Sequence, residues 1–297
     1  MLESHGHGWR VVATGTPQNR RKGLAGSTLV AMGSPVLLTS PLLTSCGIPH
    51  AFTTRLGGFS TGIFDSLNFG NPSDLPAERR DPVASIALNK DAALRAVGMA
   101  GREFVEVHQV HGDGVHVVRA GRPSHAGPET TKADAIVSDD GARAVAVRVA
   151  DCTPVLLATN DGRLVAAVHA GWRGVVADVA CRTVEAMRAL GARPEELVAA
   201  IGPCISEPEF EIGPEVIEAF RRRFGQDTPH ARATPDGKGR ADMQGALRTS
   251  LEGAGVGRID TLARCTVREP THFFSHRRDR GVTGRMAAFI GAVASPR

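Results

Sequence analysis

Cysteine is scarce in this sequence: Cys46, Cys152, Cys181, Cys204 and Cys265 are the only five in 297 residues, and no two form a CxxC pair. An odd handful at irregular spacing excludes the disulfide framework of a secreted scaffold and points to a reducing cytoplasm. Long apolar runs are also missing. The opening MLESHGHGWRVVATG lacks an apolar signal core, and LVAMGSPVLLTSPLL is interrupted by Gly33, Pro35 and Pro41. That stretch is too short and too broken to span a bilayer, so no membrane partner is expected. A strong charge imbalance is absent as well. The net charge of +4 is small for this length; arginines scattered over a solvated surface account for it, and nucleic acid is not expected as a partner.

What remains is an ordinary globular mix, 42% apolar and 22% charged, with enough material for a large core without disulfide staples. Residues 1–40 are polar, then rich in Gly and Ser, with the basic cluster Arg20, Arg21 and Lys22. They are expected to be a poorly ordered N-terminal extension. Residues 41–297 alternate α and β signals without a linker, which predicts one mixed α/β (α+β) domain. HAFTTRLGGFSTG reads as a strand running into a glycine-rich turn. DPVASIALNKDAALRAVG reads as a helix capped by Asp81 and closed by Gly98. EFVEVHQVHGDGVHVV reads as two strands around the turn at 111–114. ADAIVS, AVAVRVA, PVLLAT and RLVAAVHA are short apolar strands, the last two joined by Asn160-Asp161-Gly162, a strong hairpin signal. Helical spacing then predicts one helix over about 174–190 and another in GPEVIEAFRRRFG, with the strand LVAAIG between them. HARATPDGKGRAD is expected as a surface loop, MQGALRTSLEGAG as a helix, and IDTLARCTV and MAAFIGAVA as closing strands.

Three segments place metal-ligand residues at turns or strand ends: HQVHG (108–112), VADCTP (149–154) and VHAGWRG (168–174). Cys152 and His169 lie at similar distances from the hairpin turn on its two arms, so the pairing brings them near one another. His111, in a glycine-flanked turn, suits a third ligand. One thiolate and two imidazoles leave a fourth tetrahedral position open, as catalytic zinc sites do. Against this, a histidine beside a strand is more often an ordinary core or surface residue, and Cys152 in an apolar run suits a plain buried cysteine. Asp151, next to Cys152 on a strand, should point away from it. No Glu stands beside a histidine in the H-x-E deaminase pattern.

HQVHG, ADC, HAGWRG, IGPCIS with FEIG, and FFSHRRDRGVTGR, preceded by HAFTTRLGGFSTGIFDSLNFG, occur in that order. From about residue 48 to the end the sequence resembles the YfiH-type multicopper polyphenol oxidase (laccase-domain) family, whose members are also described as purine nucleoside phosphorylases and as peptidoglycan editing factors. The resemblance implies a domain of layered mixed β-sheets with flanking helices. It implies His111, Cys152 and His169 as metal ligands and catalytic residues, with zinc as the metal and copper as the alternative. It also implies phosphorolysis of adenosine, inosine and methylthioadenosine, with adenosine deamination as a side activity. The partners are then a purine nucleoside and phosphate. Arg55, Asn68, Arg173 and Arg277 are the candidate substrate-binding residues, the arginines as bidentate phosphate donors. The start of the helix after Gly171-Trp172-Arg173-Gly174 is a candidate anion site. His108 is an extra histidine in HQVHG, and strand alternation sets it apart from His111. Trp172, Phe273 and Phe274 could stack on a base, though core packing is the plainer role. Two other enzyme readings stay open. Cys152 with His169 as base would make a cysteine hydrolase acting on peptidoglycan precursors, and copper ligation would make a phenol oxidase. The single HxH pair, His5 and His7, falls in the N-terminal extension. The oligomeric state is left open, with a monomer slightly favoured.

Overall fold

The computed structural model describes residues 10–13, 33–124, 127 and 130–293. Its strands form two six-stranded sheets and one three-stranded sheet. The first sheet has the order β1 (Arg10–Ala13), β2 (Val36–Thr39), β3 (His50–Thr53), β15 (Met286–Gly291), β7 (Arg143–Val149) and β4 (Glu103–Val105). The second has the order β14 (Arg258–Thr261), β10 (Leu197–Ile201), β8 (Thr153–Thr159), β9 (Val165–Ala170), β6 (Ala135–Ser138) and β5 (Val115–Val118). The small third sheet is β11 (Glu211–Ile212), β13 (Gly239–Ala241) and β12 (Ala231–Ala233). Six α-helices complete the described fold: α1 (Pro41–Ser45), α2 (Val83–Ala96), α3 (Trp172–Val176), α4 (Val179–Ala189), α5 (Pro214–Phe224) and α6 (Met243–Gly253).

The mixed α/β architecture expected from the sequence is therefore present, and the core residues show its layering. In β8, Leu156 and Ala158 join Val145, Val147, Ala288 and Ile290 between the two large sheets. Their neighbours Val155 and Leu157 turn the other way, onto Val184 of α4, Phe220 of α5 and Leu247 of α6. On the outer face of the first sheet, Ala146 and Phe289 pack with Ala93 and Leu94 of α2. Strands buried on both faces show no polar alternation, which is why β8 and β9 read as continuous apolar runs.

Several expectations need correction. Val36–Thr39, assigned from composition to the poorly ordered extension, is a strand whose Leu37 and Leu38 are buried. The flanking prolines made the run look broken, whereas its pairing with β3 is a long-range fact. Residues 1–9 and 14–32 lie outside the described residues, His5 and His7 among them. Asp81 does not cap α2; its carboxylate accepts hydrogen bonds from Ser60 Oγ at 2.6 Å and Asn68 Nδ2 at 2.8 Å. The helix expected over 174–190 is broken at Asp178, which is left-handed (φ 67°) and ion-paired with Arg223. Both pieces bury the same face on one core, so the apolar period runs through the break unmarked. The segment expected as a loop near 230–242 contains the β12–β13 hairpin, whose three-residue strands are too short for an alternation signal. The strands flanking His111 belong to different sheets: β4 pairs with β7, and β5 with β6.

Candidate metal centre

The site is built first by the β8–β9 hairpin. Gly162 takes the left-handed conformation the turn requires (φ 70°). The resulting register sets Pro154 opposite His169 and Thr153 opposite Ala170. Cys152, one residue before β8, therefore lies at the same end of the pair as His169. Val165 and Ala167 face the other large sheet, and alternation along β9 puts His169 on that face too, at the open end of the sandwich. His169 is buried and Cys152 half-buried.

His111 arrives from the loop that crosses between the sheets, and one carboxylate fixes it there. Asp134, fully buried, accepts the backbone amides of Val110 (3.2 Å), His111 (2.9 Å) and Gly112 (2.7 Å). The same carboxylate is 2.8 Å from His169 Nδ1. A left-handed, non-glycine conformation at His111 (φ 62°) is thus held from below by three charge-assisted hydrogen bonds. The outcome is a tight cluster. Ligand atoms of His111, Cys152 and His169 all lie within 4.8 Å of one another. Cys152 Sγ is 3.8 Å from His111 Nε2, and the two imidazoles meet edge to face at 4.8 Å. Gly171 must stay bare: a Cβ there would come within 2.7 Å of His111 Cδ2 and 3.3 Å of Cys152 Sγ.

The electrostatics favour a thiolate. Burial alone would push the Cys152 thiol up, but the His169 charge and hydrogen bonds from both imidazoles outweigh it and hold the thiol at about 6. Burial likewise works against a charged His169, but the Cys152 charge and the Asp134 hydrogen bond raise it to about 9. The Asp134 carboxylate stays below the usual range: burial opposes this, and the His169 hydrogen bond with the amides of Gly112 and Val110 prevails. With Nδ1 committed to Asp134, His169 presents Nε2 to the cluster, an arrangement typical of metal-ligating histidines. These three residues could hold a metal ion.

Other sequence-derived candidates fall elsewhere or are already engaged. Asp151 turns from the cluster, taking hydrogen bonds from Thr266 Oγ1 (2.5 Å) and the Arg277 amide (2.6 Å). His108 is exposed, bridges to Lys132 and does not join the three converging residues. Asn68 is fully buried, its amide spent on Asp81, Gly70 and the Arg285 backbone. Arg55 donates to the carbonyls of Asp65 and Pro270 and stacks on Phe274. Arg277 donates to the Glu211 carbonyl and lies over Phe210. Arg173 is exposed and stacks on its neighbour Trp172. The helix start proposed for anions belongs to α3, only five residues long, too short for an appreciable macrodipole. Phe273 and Phe274 are core residues and Trp172 packs against the core. Sequence reading missed Asp134. Its position just before β6 carries no motif linking it to residues 23 and 35 positions away.

The family model described as "Multi-copper polyphenol oxidoreductase laccase" matches residues 49–293. The chain belongs to this family. A relative from Deinococcus radiodurans named "Purine nucleoside phosphorylase" is 41% identical over 263 residues, covering 89% of this chain and 95% of the relative. "Purine nucleoside phosphorylase YfiH" of Escherichia coli is 36% identical, covering 83% of this chain and 95% of its own length. The crystal structure of a Bacillus licheniformis "hypothetical protein YfiH" superposes with a TM-score of 0.78 at 30% identity, covering 88% of this chain and 97% of that one. All three converging residues and Asp134 fall inside the family match.

Proposed function

We propose that this chain is a zinc-dependent purine nucleoside phosphorylase acting on inosine, adenosine and methylthioadenosine, with adenosine deamination as a side activity. The observation that carries the reading is the convergence of His111, Cys152 and His169 over the buried Asp134 carboxylate. The donor set suits zinc: one thiolate stable near neutrality, and two imidazoles of which His169 has its tautomer set by Asp134. Three protein donors leave one position for substrate, where zinc would act as a Lewis acid. The substrate assignment draws on relatives that carry the name purine nucleoside phosphorylase.

The chain's own residues define the approach. His111 is exposed while His169 is buried, so a nucleoside would enter over the 110–112 turn and meet the cluster from the His111 side. Asp134 keeps a proton on His169 Nδ1 and holds both the turn and the imidazole against displacement. In phosphorolysis, a phosphate oxygen forms a bond to the anomeric carbon as the bond to the base nitrogen breaks, and the base leaves with a proton. Copper ligation by the same donors is the alternative metal chemistry, but the described residues form a single such cluster.

A second reading has its own support. Asp134, His169 and Cys152 are arranged as orienting acid, base and nucleophile, with the sulfur drawn toward thiolate. That geometry serves a cysteine hydrolase. Metal analysis of protein purified without added metal, beside a nucleoside panel with and without phosphate, separates the two. Near-stoichiometric zinc and ribose 1-phosphate formed only with phosphate present is the expected result. Free ribose formed without phosphate would overturn phosphorolysis. Full zinc occupancy in an inactive Cys152→Ala variant would favour the hydrolase.

A further inference from the structure

At the ends of β7 and β15 lies a second concentration of charge to which the sequence reading gave no role, although Arg285 closes the motif FFSHRRDRGVTGR. Arg148 is on β7 and Arg285 immediately precedes β15, and these strands pair with Ala287 opposite Arg148. Val147, Val149, Met286 and Ala288 face the layer between the sheets, while Ala146 and Ala287 face outward. Strand alternation therefore puts Arg148 and Arg285 on the same outer face as diagonal neighbours.

Two guanidinium groups so placed repel. Burial first, and Arg148 second, depress the proton affinity of Arg285, and Cys152, Asp151 and Asp74 offset only part of this. Glu106 is 3.4 Å from Arg148 Nε but has Lys90 as its closer cation. Among the described residues Arg285 has no ion pair. Its guanidinium donates through Nη1 to the carbonyls of Thr283 and Gly284, both at 3.0 Å, which leaves Nε and Nη2 for another acceptor. The surrounding backbone is built to hold the pair. Asn68 Oδ1 accepts the Arg285 amide at 2.8 Å and the Gly70 amide at 3.2 Å. A Cβ at Gly70 would lie 2.9 Å from Arg148 Nη1, so the Arg148 side chain rests close against the backbone at that glycine. β7 ends at Val149, three residues before Cys152, so the pair sits at the strand end that leads into the His–Cys–His cluster.

We infer that Arg148 and Arg285 form an oxyanion site beside the metal centre that takes a phosphoryl group. Fork-shaped donors with free N–H groups on one face match such an anion, and bound phosphate would relieve their repulsion. Identifying that anion as the attacking phosphate rests on the phosphorolysis reading; the binding site itself does not.

The test titrates inorganic phosphate into the zinc-loaded full chain by calorimetry, with a nucleoside 5′-monophosphate as a parallel arm. Wild type should bind inorganic phosphate, and Arg285→Gln or Arg148→Gln should weaken it about tenfold or more, as loss of a charge-assisted contact does. Zinc content should stay at the wild-type level and Arg285→Lys should restore part of the affinity. In turnover, the KM for phosphate should rise in the glutamine variants with the KM for nucleoside nearly unchanged. If Arg285→Gln does not fold, Arg148→Gln carries the same reading. Unchanged affinity for both anions in the folded variants, or binding of neither anion by wild type, overturns the site. Phosphate binding that depends on Arg285 in a protein that makes no ribose 1-phosphate would keep the site and sink phosphorolysis. Phosphorolysis with a wild-type phosphate KM in Arg285→Gln would do the reverse.

Discussion

Asp134 joins the two histidines of the cluster through separate contacts: backbone amides on the His111 side and a ring nitrogen on the His169 side. Replacing it with asparagine keeps the volume but removes the charge that polarises His169 and accepts three amides. Zinc affinity in Asp134→Asn should fall about 10–100-fold, as it does when the outer-shell partner of a ligating histidine is lost; competition with a chromophoric chelator measures this directly. An affinity equal to wild type would show that His111 and His169 are positioned by packing alone. Replacing His111, Cys152 or His169 with alanine should remove zinc and activity together, while His108→Ala keeps both. Metal analysis of the four variants decides between this set and one that includes His108. Gly171→Ala tests crowding: its Cβ would press on His111 and Cys152, so zinc should bind more weakly although no donor has changed.

The β8–β9 hairpin is the element that sets the site, because one register fixes both Cys152 and His169. At its turn, Gly162 combines a φ of 70° with close neighbours, a Cβ there lying 2.6 Å from Val293 Cγ2. Gly162→Ala should destabilise the fold by about 1–3 kcal/mol through backbone strain and overlap, with the denaturant midpoint as readout. A midpoint unchanged from wild type would mean that the turn relaxes without cost. This hairpin was the most legible part of the site, since Asn-Asp-Gly between two apolar runs is a local signal. His111 was less legible from spacing: β4 and β5 enter different sheets, and nothing in EFVEVHQVHGDGVHVV reports the crossing. The break at Asp178 was hidden for the opposite reason, since two helices buried on one core keep a single apolar period.

Taken as a whole, the metal-free molecule should carry its site chemistry into its stability. Cys152 lies at about 6 against an ordinary 9.0, so its contribution is complete above pH 9.0 and is lost as pH falls through about 6. His169 lies at about 9 against 6.5, so its contribution is complete below pH 6.5 and is lost as pH rises through about 9. The two describe one ion pair, and between pH 6.5 and 9 the growing Cys152 contribution offsets the waning His169 contribution. Denaturation midpoints of metal-free wild type should therefore stay nearly level across that range, whereas Cys152→Ala removes the offset and its profile should slope. A variant profile as level as the wild type's would show that the pair is neutral. The sequence by itself determined the mixed α/β composition, most strand and helix positions and the family, because these rest on local period, turn chemistry and ordered motifs. Only the tertiary structure decided that β2 belongs to the core, that Asp134 underlies both histidines, that Arg55, Asn68 and Arg277 are engaged in the scaffold, and that Arg148 and Arg285 share a face. Each depends on strand pairing or on a buried contact between residues far apart in the chain, and no local pattern records such a contact.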